Sequence, residues 1–284
     1  MSIQWPLVFF TLFVGLGCGT FVGAVVLTEW CGKARQIRTI SSILAIVALG
    51  IGGMSSTLHL GHPERMFGAL GHPTSGIFME STMIFLVGLT IFIYLLALRR
   101  NAAAVTCKII ATVGAVLAVV LAFVNGDAYV MASIPAWNTW ILPVFYVASA
   151  AVMGCFCTGV LLARTEDVDT TALAMIKQAA LIAIAIQTVL LIAYLGHIAA
   201  APYPDVTRSV ARVLAGNLAS LFWGGLVLIG LLVPAVLMTK FYTKNTASIS
   251  PLTSVKLGLL SVLAAGVAFR VMMFLLGSSI KQFF

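Results

Sequence analysis

Eight uninterrupted apolar runs, each close to 20 residues long, decide what this chain can fold into. About 20 mostly apolar residues form a helix that crosses the hydrocarbon core of a bilayer, where no water is present to serve the backbone. The runs cover residues 6–27, 40–60, 79–98, 109–130, 140–163, 173–196, 218–239 and 256–277. They are continuous rather than alternating, which excludes a β-barrel. Composition points the same way, with 61% of residues apolar and 8% charged. A soluble domain averages about 25% charged residues, and this chain could not cover one. The expected fold is all-α: a single integral membrane domain over residues 1–284, built as a bundle of eight transmembrane helices. The first run has no basic segment before it and reads as a retained helix rather than a signal peptide.

An even number of spans places both termini on one side. The loops after the first, third, fifth and seventh runs hold eleven basic residues, among them Lys33, Arg99, Arg100 and Lys244, against four on the other side (Arg65, Arg208, Arg212 and Lys281). Basic loops stay cytoplasmic, so both termini are expected to face outward. The same bias accounts for the net charge of +8 without calling on nucleic acid. Two weak internal echoes suggest a pair of parallel four-helix repeats. Pro6, Gly17 and Cys18 recur as Pro143, Gly154 and Cys155 at an offset of 137, and Leu60-Gly61-His62 recurs as Leu195-Gly196-His197 at an offset of 135.

Polar residues gather at the outer side. His59, His62 and His72 lie around the second connection, His197 ends the sixth run, Glu80 opens the third, and Asp127 closes the fourth beside Asn125. Arg270 is the one charge read as deep, and a charge at depth costs at least about 2.5–3.5 kcal/mol without a partner or a wet cavity. It is expected to pair with Asp127 or Glu80. His62 and His72 each precede a proline and read as turn residues, and the tryptophans Trp5, Trp137, Trp140 and Trp223 read as an interfacial belt. Histidine, carboxylate and arginine at one interface suit an amphipathic ligand with a polar head, of which a quinol is the natural example. Imidazole accepts a hydroxyl hydrogen bond near neutral pH and a carboxylate relays protons to water. No histidine lies at mid-membrane to ligate a b-type haem, and Cys155-x-Cys157 matches neither a haem-attachment nor a cluster motif. No metal site and no catalytic centre of its own is therefore expected. A small-solute transporter or channel with a polar outer vestibule is the alternative reading, and a purely structural anchor is a third.

Trp5-Pro6-Leu7, Leu58-His59-Leu60-Gly61 with Pro63 and Arg65, Glu80, and Ile134-Pro135-Ala136-Trp137 together resemble the membrane-anchor subunit of bacterial dimethyl sulfoxide reductase over essentially the whole chain. The resemblance implies a subunit of an anaerobic respiratory reductase in the bacterial inner membrane, its outward-facing termini periplasmic, that binds and oxidises menaquinol and holds no prosthetic group. It implies partners too: an iron–sulfur electron-transfer subunit and a catalytic subunit with a bis-molybdopterin cofactor. Carried over by position, it puts the quinol site on His59, Glu80 and Arg65, with Asp127 and Arg270 as secondary candidates. His62 departs from the small residue expected there. The iron–sulfur partner would dock outside, over connections 2–3, 4–5 and 6–7, where Trp137 and Tyr203 offer aromatic contact.

Overall fold

The computed structural model describes residues 3–58, 75–166, 169–240 and 250–277. Among them every regular element is helical. The membrane-spanning helices are α1 (Trp5–Val25, prolonged by a π-helical turn to Trp30), α2 (Arg38–Thr57), α3 (Gly76–Arg99), α4 (Ala104–Asp127), α5 (Ile141–Leu162) and α6 (Thr170–Ala199). A short α7 (Pro204–Leu214) follows, then a π-helical segment (Ser220–Leu232) running into α8 (Val233–Lys240), and finally α9 (Pro251–Leu276). The π segment and α8 form one span, so eight stretches are long and apolar enough to cross a membrane. Each coincides with an apolar run read from the sequence, with ends shifted by a few residues.

The helix ends follow local chemistry. Ser75, Asp169 and Ser250 cap α3, α6 and α9 by accepting from backbone N–H groups of the first turn, which serves donors that have no helical partner. Pro6, Pro204 and Pro251 sit in first turns, where a missing N–H costs nothing. Pro234 is different, since its ring would meet the carbonyl four residues back in a regular α-helix. The wider π-helical turns before it remove that clash.

The core sits between α1 and α5, the two spans with the largest buried share. Gly15 faces Ala150, Gly19 faces Gly154, and Gly23 faces Thr158, so the two helices run parallel. A Cβ on Gly19 or on Gly154 would overlap the other helix's backbone, and only glycine permits that approach. Around this pair the packing is nearly two-fold. α1 packs on α2 and α4 as α5 packs on α6 and α9, and α3 covers α4 as the π segment and α8 cover α9. The facing pairs 15/150, 19/154 and 23/158 all differ by 135, the offset of the Leu-Gly-His echo. A pair that maps onto itself lies on the pseudo-symmetry axis, so 135 is the offset that organises the bundle, and the 137 echo has no such partner.

The connection between the sixth and seventh spans, expected from the sequence to be a loop, contains α7. Val206, Ser209 and Val213 turn inward while Thr207, Arg208 and Ala211 are exposed, and Trp223 Nε1 donates to the Leu214 carbonyl at its end. Valines at 206, 210 and 213 were the available signal, on a helix too short for a span pattern.

Candidate functional site

The ends of α4, α6 and α9 and the starts of α1, α3 and α5 converge on one face. His59, His62, Arg65 and His72 lie outside the described residues. Chain connectivity alone places His59 directly after Leu58, the C-terminal cap of α2. Glu80 is described: it sits in the second turn of α3, half-buried. The first turn of α3, just before it, faces the end of α4, for a Cβ on Gly76 would touch Ala128.

The 4–5 connection is a plug rather than a loop. Ile134, Ala136 and Trp137 are all buried. Trp137 Nε1 donates to the Met273 carbonyl at 2.9 Å, and His197 Nε2 lies 3.1 Å from the Pro135 carbonyl. These bonds tie the connection to the last turns of α9 and α6. Tyr129 packs edge-on against Trp137 and Phe274 and lies near the Tyr146 ring. Burial pushes the Tyr129 hydroxyl well above its ordinary value; Tyr146 and the Glu80 carboxylate add to the rise and Arg270 opposes it. The structure thus brings Glu80 within electrostatic reach of a buried tyrosine pair that Arg270 also reaches.

Two expectations are corrected on this face. Trp137 is 2% exposed, whereas Trp5, Trp140 and Trp223 are about half exposed or more. The last three fit an interfacial belt; Trp137 is a core residue and offers nothing to a docking partner, while Tyr203 is only partly buried. Among the described residues Arg270 has no carboxylate partner. Its Nε donates to Thr11 Oγ1 at 2.6 Å, Nη1 to the Gly266 carbonyl at 2.9 Å and Nη2 to the Thr11 carbonyl at 3.0 Å. Its guanidinium also lies 4.8 Å from the centre of the Tyr146 ring. Helix carbonyls, a hydroxyl and an aromatic face supply the negative potential that an acid was expected to supply. Asp127, the last residue of α4, is exposed, and the structure does not bring it into this group.

Asn125 extends the network, donating from Nδ2 to the Thr11 carbonyl at 3.3 Å. Thr11, Tyr129 and Tyr146 were not singled out in the sequence. Thr11 occupies one helical turn before Gly15 on the α1 face that meets α5, and that register was the available signal. At the opposite end of the bundle an ion pair on a buried acid was also missed. Tyr94 Oη donates to Glu29 Oε1 at 2.5 Å, and Arg38 Nη1 lies 3.4 Å from the same oxygen. Glu29 therefore ties the end of the first span to α2 and α3.

The family model for the DMSO reductase anchor subunit (DmsC) matches residues 1–276. A subunit of the anaerobic dimethyl sulfoxide reductase of Haemophilus influenzae is 27% identical over 139 residues, 48% of this chain and 50% of the relative. The matched stretch thus spans about half of each protein.

Proposed function

This chain belongs to the DMSO reductase anchor subunit family, and we propose that it oxidises menaquinol at the face where α3 begins and passes the electrons to an iron–sulfur subunit. A catalytic subunit with a bis-molybdopterin cofactor would then reduce the terminal acceptor. The observation that carries this reading is Glu80: a carboxylate in the second turn of a membrane-spanning helix, half-buried, within electrostatic reach of the buried Tyr129.

The chemistry has to dispose of two protons and two electrons for each quinol converted to quinone. In this reading His59 accepts a hydrogen bond from one hydroxyl and takes its proton as the electrons leave. Glu80 hands protons to water on the same side. Asp127, exposed at the end of α4, and Arg65, which lies outside the described residues, are retained as secondary groups on the resemblance alone. Arg270, whose N–H groups already face Thr11 and Gly266, contributes positive potential to the site and does not touch the quinol. The same enclosure takes Arg270, 2% exposed, out of the outer polar cluster on which the transporter reading rested.

Glu80→Gln keeps the shape of the side chain and removes its proton exchange. It is expected to lower menaquinol turnover roughly tenfold, below the full range of what a positioned acid–base group contributes, and to change the pH dependence of what remains. Steady-state rates across the pH range on either side of neutrality test it. Wild-type rates with a wild-type profile would remove Glu80 from the proton path.

Sidedness is tested separately. Alkaline phosphatase fused after Phe284 is expected to be active, and a fusion between Arg99 and Asn101 inactive, because the basic loops stay inside. The reverse pattern would place the proposed quinol face on the cytoplasmic side.

A further inference from the structure

An apolar groove follows the seam between α4 and α5. Its deep part is a cavity of about 280 Å³, backed by α1 and walled by α4, α5 and α6, where Gly19, Gly23, Ala122 and Ala151 leave the space. A shallower stretch between Phe123 and Val144 continues it toward the face where α3 begins. Val119 and Val147 line both parts, so the two are continuous. The groove opens toward lipid, since α4 and α6 form no extended contact with each other.

Length selects the occupant. From Val144, in the first turn of α5, to Thr158, one turn from its other end, the groove runs roughly 21 Å at 1.5 Å per residue. A phospholipid acyl chain reaches only the midplane, about 15 Å from its own interface in a core about 30 Å thick. This groove crosses the midplane, which suits a chain longer than one leaflet. Its far end also holds the Thr158 hydroxyl, buried and without a hydrogen-bond partner. The double bond of each prenyl unit presents π-electrons to that hydroxyl as a weak acceptor.

We propose that the groove holds the polyprenyl tail of the quinol whose ring reacts at the face where α3 begins. The proposal rests on quinol oxidation at that face and adds the part of the substrate left unplaced there. The tail anchors the quinol from the side and lets a ring approach the interface from within the bilayer. Quinols with long tails are then favoured over tailless ones by the groove alone.

The test compares two donors on the complex purified with its partner subunits: menaquinol with a full polyprenyl tail, and the tailless naphthoquinol menadiol. Ala151 is exposed on α5 and lines the groove, so Ala151→Phe fills the space without displacing packed neighbours. It is expected to raise KM for menaquinol about tenfold and to leave kcat/KM for menadiol unchanged. Val119→Trp, from the opposite wall, should do the same, and it stands in if Ala151→Phe fails to assemble. Organic extracts of the purified wild-type complex should contain polyprenyl quinone, and extracts of either variant clearly less. Equal effects on both donors, no effect on either, or phospholipid as the sole extractable apolar chain would each overturn the groove assignment while leaving quinol oxidation intact. A wild-type complex that oxidises neither donor would overturn quinol oxidation itself, and the groove proposal with it.

Discussion

Arg270→Glu is expected to abolish accumulation of the folded chain, while Arg270→Met accumulates near the wild-type level. The contrast follows from what surrounds the side chain. Thr11 Oγ1, the Thr11 carbonyl and the Gly266 carbonyl all present oxygen to it, and the Tyr146 ring presents its negative face. A carboxylate there would face two carbonyl oxygens, a hydroxyl already donating to the Leu7 and Val8 carbonyls and the face of an aromatic ring, in a site 2% exposed. An uncompensated buried charge costs several kcal/mol, of the same order as the roughly 5–15 kcal/mol that holds a typical fold together. Methionine fills a similar volume and needs no partner. It forfeits three charge-assisted bonds but escapes the desolvation that the guanidinium suffers, and such exchanges are often close to neutral. Thr11 Oγ1 keeps its own bonds to the Leu7 and Val8 carbonyls, and the Thr11 carbonyl keeps Asn125, so methionine strands no group on α1. Fluorescence-detected size exclusion of tagged variants measures the outcome. A folded Arg270→Glu protein would mean that the arginine reaches water. A collapsed Arg270→Met protein would mean that the charge itself holds α9 against α1.

The environment of Arg270 also marks where the sequence stops being readable. Depth is a local property, and the apolar run around Arg270 announces it. Partners are not local: Thr11 is 259 positions away, and no spacing rule connects a cation on the last span with a hydroxyl on the first. The acids at the outer interface were the obvious partners because charge seeks charge, yet a helix carbonyl already carries enough partial charge when water is absent. Trp137 fails in the same way. A tryptophan beside a span reads as an interfacial anchor, and Trp5, Trp140 and Trp223 keep to that rule. What buries Trp137 is the Met273 carbonyl across the bundle and the Tyr129 and Phe274 rings around it. The eight spans were legible because bilayer thickness imposes one length on each of them. The parallel halves were half legible, since glycines on one face signal close contact without naming the opposite helix. Glu29 was missed because a lone acid at the end of an apolar run looks like a solvated helix end, and only the fold brings Tyr94 to it.

Loss of the His59 imidazole is expected to have the largest effect on chemistry. His59→Ala should leave the complex assembled and fully active with a soluble artificial donor that feeds the iron–sulfur partner directly, while menaquinol turnover falls at least a hundredfold, to judge from the roughly 10²–10⁴ in rate that general acid–base groups in contact with the reacting atom contribute. The alanine variant also loses the hydrogen bond that orients the hydroxyl. The resemblance of Leu58-His59-Leu60-Gly61 to the family's site supports the assignment, together with the position of His59 one residue past the C-terminal cap of α2. His59→Gln separates the two contributions, because an amide accepts the hydroxyl hydrogen bond and does not take up the proton. It should bind menaquinol with near wild-type KM and turn it over as slowly as the alanine variant within about tenfold. Glu80→Gln combined with His59→Ala should cost little more than His59→Ala alone, since a proton that never leaves the quinol has no use for a relay. Wild-type menaquinol turnover in His59→Ala would make the histidine a structural helix-end residue, and the proton acceptor would then have to be sought among the groups that surround Glu80 and Tyr129.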